Sequence, residues 1–182
     1  MTSNRYHVKP LISPDVLIER LPIDPKVESF ITKTRQTIAD IVYHQSTSKR
    51  ILVIGPCCVY HSDSALEYAH KLKYLAKELV DKYLVIMRVC FEIPGSGWRG
   101  FINDPHADKT FQINQGLYSA RRLLLDINQI GIPCGVEFSD TFTTQYIEDL
   151  VVWATASDPQ LASGLSMPIG IKNLTTEQIG LA

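Results

Sequence analysis

Two spacings of apolar residues alternate along this chain, one suited to buried strands and one to helices packed on a sheet. After a polar lead, residues 26–42 place Val27, Phe30, Ile31, Ile38, Ile41 and Val42 at intervals approximating one helical face. Ser46-Thr-Ser-Lys-Arg50 breaks that pattern, and Ile51 to Ile54 reads as a buried strand. Ser64-Ala-Leu-Glu67 has capping-box spacing and predicts a helix reaching residue 80, with Leu66, Ala69, Leu72, Leu75, Ala76 and Leu79 on its face. Residues 83–91 are too uniformly apolar for a sheet with a wet face, so this strand is expected to be buried on both sides. A loop over 93–100 precedes a long helix over 111–130, with Leu117, Ala120, Leu124 and Ile127 inward. A third strand over 132–138, a helix over 145–153 and a short strand over 168–172 complete the pattern. Strands separated by helical stretches imply parallel β/α units, hence an α/β fold.

Composition mainly excludes. A length of 182 residues fits one domain with a sizeable core, and 45% hydrophobic with 20% charged residues is ordinary globular usage. The net charge of −1 offers no general electrostatic reason to expect nucleic acid or an anionic membrane as partner. No uncharged run is long enough to span a bilayer, and the first residues lack the apolar core of a signal peptide, so the expected location is cytoplasmic. Cys57, Cys58, Cys90 and Cys134 show no C-x-x-C spacing and are expected to stay reduced. Adjacent Cys57 and Cys58 point in different directions at a strand end, so at most one faces a site.

The candidate chemistry sits at strand ends. The strand ending at Ile54 stops abruptly in Gly55-Pro56 and delivers Cys57 to its C-terminal tip, the end at which α/β proteins place their sites. Arg88 is anomalous inside an apolar run: a guanidinium cannot be neutralised, so unless it reaches the surface it needs an anionic partner from protein or ligand. Taken singly, these residues have plainer readings. Cys57 is a small buried hydrophobe, Arg88 is either a structural ion pair or an anion site, and Lys172 is solvated. His61 and His106 have no ligand-pair spacing, which favours surface or hydrogen-bonding roles. Trp98 either covers a site or anchors its loop.

Several blocks carry more than spacing. They are Gly55-Pro-Cys57, Met87-Arg88-Val, Gly97-Trp-Arg-Gly-Phe-Ile-Asn-Asp-Pro-His106, Ala120-Arg-Arg-Leu-Leu-Leu-Asp-Ile-Asn128, Leu161-Ala-Ser-Gly-Leu-Ser-Met-Pro168 and Gly170-Ile-Lys172-Asn173. In this order, over nearly the whole chain, they resemble the type I 3-deoxy-D-arabino-heptulosonate 7-phosphate (DAHP) synthases. The resemblance implies an eight-stranded β/α barrel behind an N-terminal extension used in assembly and regulation. It also implies a transferase reaction, the condensation of phosphoenolpyruvate with erythrose 4-phosphate to DAHP and phosphate, which opens the route to aromatic amino acids. By family position Cys57 is a metal ligand, Arg88 and Lys172 contact phosphoenolpyruvate, and Lys172 and Glu137 are implied to be catalytic, Glu137 at an acidic active-site position. Asp140, Gln145, Leu165 and Ser166 fall where feedback-inhibited members bind an aromatic amino acid. The plainer reading makes Asp140 or Thr141 a helix cap and Leu165 core.

The sequence also departs from the family. Between Phe91 and Trp98 the family reads Glu-Lys-Pro-Arg-Thr-Thr-Val-Gly, whereas residues 92–97 here are shorter and uncharged after Glu92. Between Trp153 and Leu161 a family strand and its Gly-Ala-Arg-Thr-Thr-Glu-Ser segment are replaced by residues 154–160, so one barrel strand is expected to be missing. The chain stops at Ala182, before the segments supplying the family's histidine, glutamate and aspartate metal ligands. The expectation is an N-terminal helical extension over 1–48 and a partial (β/α)8 barrel, about its first half, over 49–182. Three or four parallel strands would leave an exposed edge, favouring a homo-oligomer or a complementing chain. A divalent metal of the Mn, Fe, Co or Zn class is implied by family, with weak affinity where one ligand matches, and little activity is expected from this chain unaided. The alternative is a non-catalytic interaction protein, or one that retains an aromatic amino acid effector site.

Overall fold

A computed structural model describes residues 10–44, 48–56, 58–92, 100–156, 158–172 and 179–181. Six strands form one sheet in sequential order, β1 (Arg50–Ile54), β2 (Tyr83–Arg88), β3 (Cys134–Phe138), β4 (Trp153–Ala156), β5 (Ile169–Lys172) and β6 (Ile179–Leu181). The first five run parallel, and β6 returns antiparallel along β5. Helices α3 (Ser62–Glu78), α4 (Ile113–Ile130), α5 (Thr141–Ile147) and α6 (Pro159–Ser163) make the crossovers. This is an α/β partial barrel, with β1 paired on one side to β2.

The core lies between the sheet and its helices. Val85, Met87, Val89, Cys134, Val136, Phe138, Ala154 and Ala156 are buried, as period-two alternation requires of one sheet face. Above them α4 buries Leu117, Ala120, Leu124 and Ile127 completely, and it also touches α3 and α5. Its end is set by Gly131, whose φ of 92° is the left-handed conformation of a helix C-terminus. Near its start, a Cβ on Gly116 would run into the Ile102 carbonyl, so the helix can lie against the loop before it only with glycine there.

Two further helices, α1 (Pro14–Arg20) and α2 (Pro25–Ala39), precede β1. The polar lead thus contains one element that hydropathy does not signal. Asp24 caps α2 by accepting from the Lys26 and Val27 amides, and a π-helical turn over Asp40–His44 follows its end. The pair packs on the helical outside of the sheet, α1 against α5 and α2 against α4.

Polar contacts rivet this extension down. Tyr146 Oη donates to the Ile12 carbonyl at 2.6 Å, and Asn114 both accepts from the Ile12 amide and donates to Pro10. Arg35 donates to the Glu148 and Val151 carbonyls at 2.7 Å each. Burial pulls the Arg35 pKa below its ordinary value while Glu148 and Asp149 oppose that. Arg121 is fully buried in α4. Its Nε donates to the Leu21 carbonyl at 2.9 Å, Nη1 to the Tyr146 carbonyl at 2.8 Å, and both Nη atoms to Asp149 at 2.7 and 2.8 Å.

Several boundaries differ from expectation. The strand expected to be missing after residue 153 is present: Trp153 opens β4, paired to β3 through Gly135 and to β5 through Ala154. The preceding helix ends earlier, at Ile147, followed by a 3-10 turn over Glu148–Leu150, which frees Trp153 for the sheet. That helix also starts four residues early, because Asp140 accepts from the Thr143 amide at 2.6 Å and caps it. The capping-box reading at Ser64 does not hold either, since α3 begins at Ser62 behind His61 with no side-chain cap. Leu75, expected inward, is 39% exposed. The long helix opens at Ile113 rather than 111, with Phe111 in a left-handed conformation. Among the described residues, no helix is long and apolar enough to cross a membrane.

Removing the hydrogen-bonded carboxylate that answers a fully buried guanidinium strands that charge. Asp149→Ala is therefore expected to lower unfolding free energy by about 3 kcal/mol in urea titrations. A loss below about 1 kcal/mol would mean that water already serves Arg121 in place of the carboxylate.

Candidate functional site

The tips of β1, β2 and β3 bring the candidate residues together. Arg88 is the last residue of β2 and pairs in register with Gly135, and Glu137 lies two residues further along β3 on the same face. The register therefore sets the two side chains diagonally across a position that carries no side chain. Arg88 Nη2 donates to Glu137 Oε2 at 3.2 Å, and Nη1 donates to the Pro56 carbonyl at 3.2 Å, just past β1. Gly55 makes that approach feasible, because a Cβ there would collide with the Arg88 carbonyl. The protein itself thus supplies the anionic partner that the charge in an apolar run demanded.

Further contacts close around the pair. Arg88 Nη2 lies 3.5 Å from Cys90 Sγ, and the Cys90 thiol donates to the Glu92 carbonyl at 3.6 Å. The Glu92 carboxylate accepts from Asn103 Nδ2 at 3.0 Å and from Ser139 Oγ at 2.8 Å. Sequence reasoning did not single out Cys90, Asn103 or Ser139 for this site. Their polar types carry no periodic signal, and they meet only because the tips of β2 and β3 are neighbours. Beside them Glu92, Glu137, Ser139, Asp140 and Thr143 line a narrow cleft of about 10 Å³, room for at most one water.

Other predicted residues stand apart or outside. Cys57 lies outside the described residues, as do Trp98 and the loop over 93–99. Lys172 is described as the backbone position that ends β5, paired with Ile179. Asp140 is occupied with capping, its second oxygen accepting from Thr143 Oγ1 at 3.1 Å. Gln145 and Ser166 are exposed, and Leu165 is half-buried against the core. His61 and His106 are both exposed.

Among the described residues, no three His, Cys, Asp or Glu side chains converge to hold a metal ion. What the arrangement can do is bind an anion. The Arg88 side chain is 32% exposed, and a guanidinium at a strand tip suits carboxylate or phosphate in a planar, two-point contact.

A parallel β/α half-barrel with a charged pair at the carboxyl ends of its strands belongs to the barrel class of α/β proteins, whose sites gather at that end. Comparison with known proteins narrows this. Residues 30–180 match the DAHP synthetase I family, and the chain belongs to that family. It is 42% identical over 185 residues to the Phe-sensitive phospho-2-dehydro-3-deoxyheptonate aldolase of Escherichia coli K12, covering 96% of this chain and 53% of that one. The phospho-2-dehydro-3-deoxyheptonate aldolase of Corynebacterium glutamicum is 40% identical over 195 residues, covering 100% of this chain and 52% of the relative. The solved structure of the Francisella tularensis SCHU S4 aldolase superposes with a TM-score of 0.87 at 41% identity, covering 93% of this chain and 52% of that chain. Relatives named Trp-sensitive and Tyr-sensitive also match. The chain thus spans about half the length of these relatives.

Cys58, Cys90 and Cys134 are buried, and burial pushes the Cys134 thiol far above its ordinary value. The folded thiol keeps its proton where the unfolded one ionises, so stability is intact below the ordinary value of 9.0 and falls as pH rises past it. Urea titrations from pH 8 to 10.5 are expected to show a decline approaching about 1.4 kcal/mol per pH unit that Cys134→Ala removes. Equal slopes in both proteins would assign the decline to other groups.

Proposed function

We propose that this chain is a transferase-family protein whose strand tips bind phosphoenolpyruvate, with Arg88 as the anion contact and Lys172 as a second cation at the tip of β5. The single observation that carries this reading is the Arg88–Glu137 pair at adjacent strand ends in a member of the DAHP synthetase I family. Phosphoenolpyruvate carries a carboxylate and a phosphate, and Arg88 offers a planar donor fork to either. Glu137 holds the guanidinium in place and supplies an acidic group beside the anion. The full reaction joins phosphoenolpyruvate to erythrose 4-phosphate, and the family's divalent metal, with Cys57 as one ligand, belongs to that step. The matched relatives are about twice as long. The half of the family fold present in this chain is expected to bind phosphoenolpyruvate.

Thermal melts test this. A ligand that binds only the folded state at one hundred times its dissociation constant adds about 2.7 kcal/mol, a rise of roughly 5–10 °C for a protein of this size. Phosphoenolpyruvate is expected to raise the midpoint for the native protein, and Arg88→Lys is expected to lose most of the rise. An unmoved midpoint at millimolar ligand would defeat the reading.

A second reading, an aromatic amino acid effector site at Asp140, Gln145, Leu165 and Ser166, is favoured by the solvent exposure of Gln145 and Ser166 and by the effector-sensitive names of the relatives. Calorimetry with Phe, Tyr and Trp is expected to give heat for one of the three. No heat with any of them removes it.

A further inference from the structure

The contacts around Arg88 close into a ring, and one residue holds it shut. From Arg88 the path runs to Glu137 Oε2 at 3.2 Å and along β3 to Ser139. It continues to Glu92 at 2.8 Å, then through the Glu92 carbonyl and Cys90 Sγ back to Arg88 Nη2. Glu92 occupies a special node, because its other oxygen holds Asn103 at 3.0 Å, on the far side of the loop that leaves β2.

The same loop is pinched at its base. Phe101 donates its amide to the Phe91 carbonyl at 2.7 Å, and the two rings stack with centroids 5.9 Å apart. Gly100, at φ 93°, allows the two chain segments to meet, since a Cβ there would strike the Phe91 carbonyl. The backbone therefore closes the loop by itself. Glu92 adds what the backbone does not, a tie from the loop base to the tip of the neighbouring strand.

The geometry points to Glu92 as a positioning residue: by holding Ser139 and Asn103 at once it locks the tips of β2 and β3 together and so sets the place and orientation of the Arg88 guanidinium. This rests on the reading of Arg88 as the phosphoenolpyruvate contact. Glu92 needs no contact with the ligand, and its influence passes through Cys90 on one side and through Ser139 and Glu137 on the other.

The test uses the full chain labelled with 15N-arginine, with the Arg88 guanidinium signal identified by its loss in Arg88→Lys. Phosphoenolpyruvate dissociation constants are measured on the same samples, well below the melting midpoint. Glu92→Gln keeps an acceptor for Asn103 and a polar partner for Ser139. It is expected to leave the signal in place and the affinity within about twofold. Glu92→Ala loses both ties and is expected to move the signal toward that of a free arginine and weaken binding about tenfold. Should Glu92→Ala fail to fold, Ser139→Ala removes the cross-strand tie at an exposed position and is expected to weaken binding about threefold, with a smaller shift of the signal. An unchanged signal and affinity in the folded alanine variants would overturn the proposal. If the native protein binds no phosphoenolpyruvate, the anion-site reading falls by itself, and the Arg88 signal still decides the role of Glu92.

Discussion

Arg121 carries a charge that cannot be removed in a place that water does not reach, and the arrangement of the helical layer follows from that constraint. Its donors must all find acceptors, and they find them in three separate places: the end of α1 at Leu21, the end of α5 at Tyr146, and Asp149 in the 3-10 turn. One side chain thereby fixes the N-terminal extension, the central helix and the exit of α5 relative to one another. Arg35 works from the other direction, reaching from α2 to the carbonyls of the same turn. The place where Trp153 enters the sheet is set by the end of that turn.

The site inherits this rigidity through the sheet. Residues facing the helices are buried along β2, β3 and β4, so a shift of register by one residue would turn them toward the face that now carries Arg88 and Glu137. With register fixed, Arg88 has Gly135 as its neighbour and Glu137 within reach. Glycines at 55 and 100 then decide how closely the adjoining chain segments can approach. The Arg88–Glu137 pair is a consequence of sheet geometry.

Legibility from sequence tracked periodicity. The three strands that end in the structure at Ile54, Arg88 and Phe138 and the inward face of α4 carry long, regular apolar patterns, and their expected bounds lie within three residues of those observed, β2 stopping at Arg88 rather than 91. Segments with short or mixed patterns misled. Residues 145–153 have apolar positions compatible with a helix, yet Val152 donates its amide to the Cys134 carbonyl and Trp153 continues into β4, because the sheet offers partners that an isolated helix cannot. The antiparallel β6 had no sequence signal, since three residues carry too little pattern.

Within the site, the same division holds for individual side chains. Arg88 stood out because a permanent charge in an apolar strand requires a partner, and that argument needs only the chain itself. The identity of the partner, the tie through Glu92, and the burial of Arg121 needed three dimensions. By itself the sequence determined the parallel β/α plan, its family and the demand for an anion at Arg88, because these follow from local spacing, motif order and charge. Only the tertiary structure decided that Glu137 answers the demand and that Ser139 and Asn103 meet on Glu92, because strand register and loop closure join residues about ten to fifty positions apart.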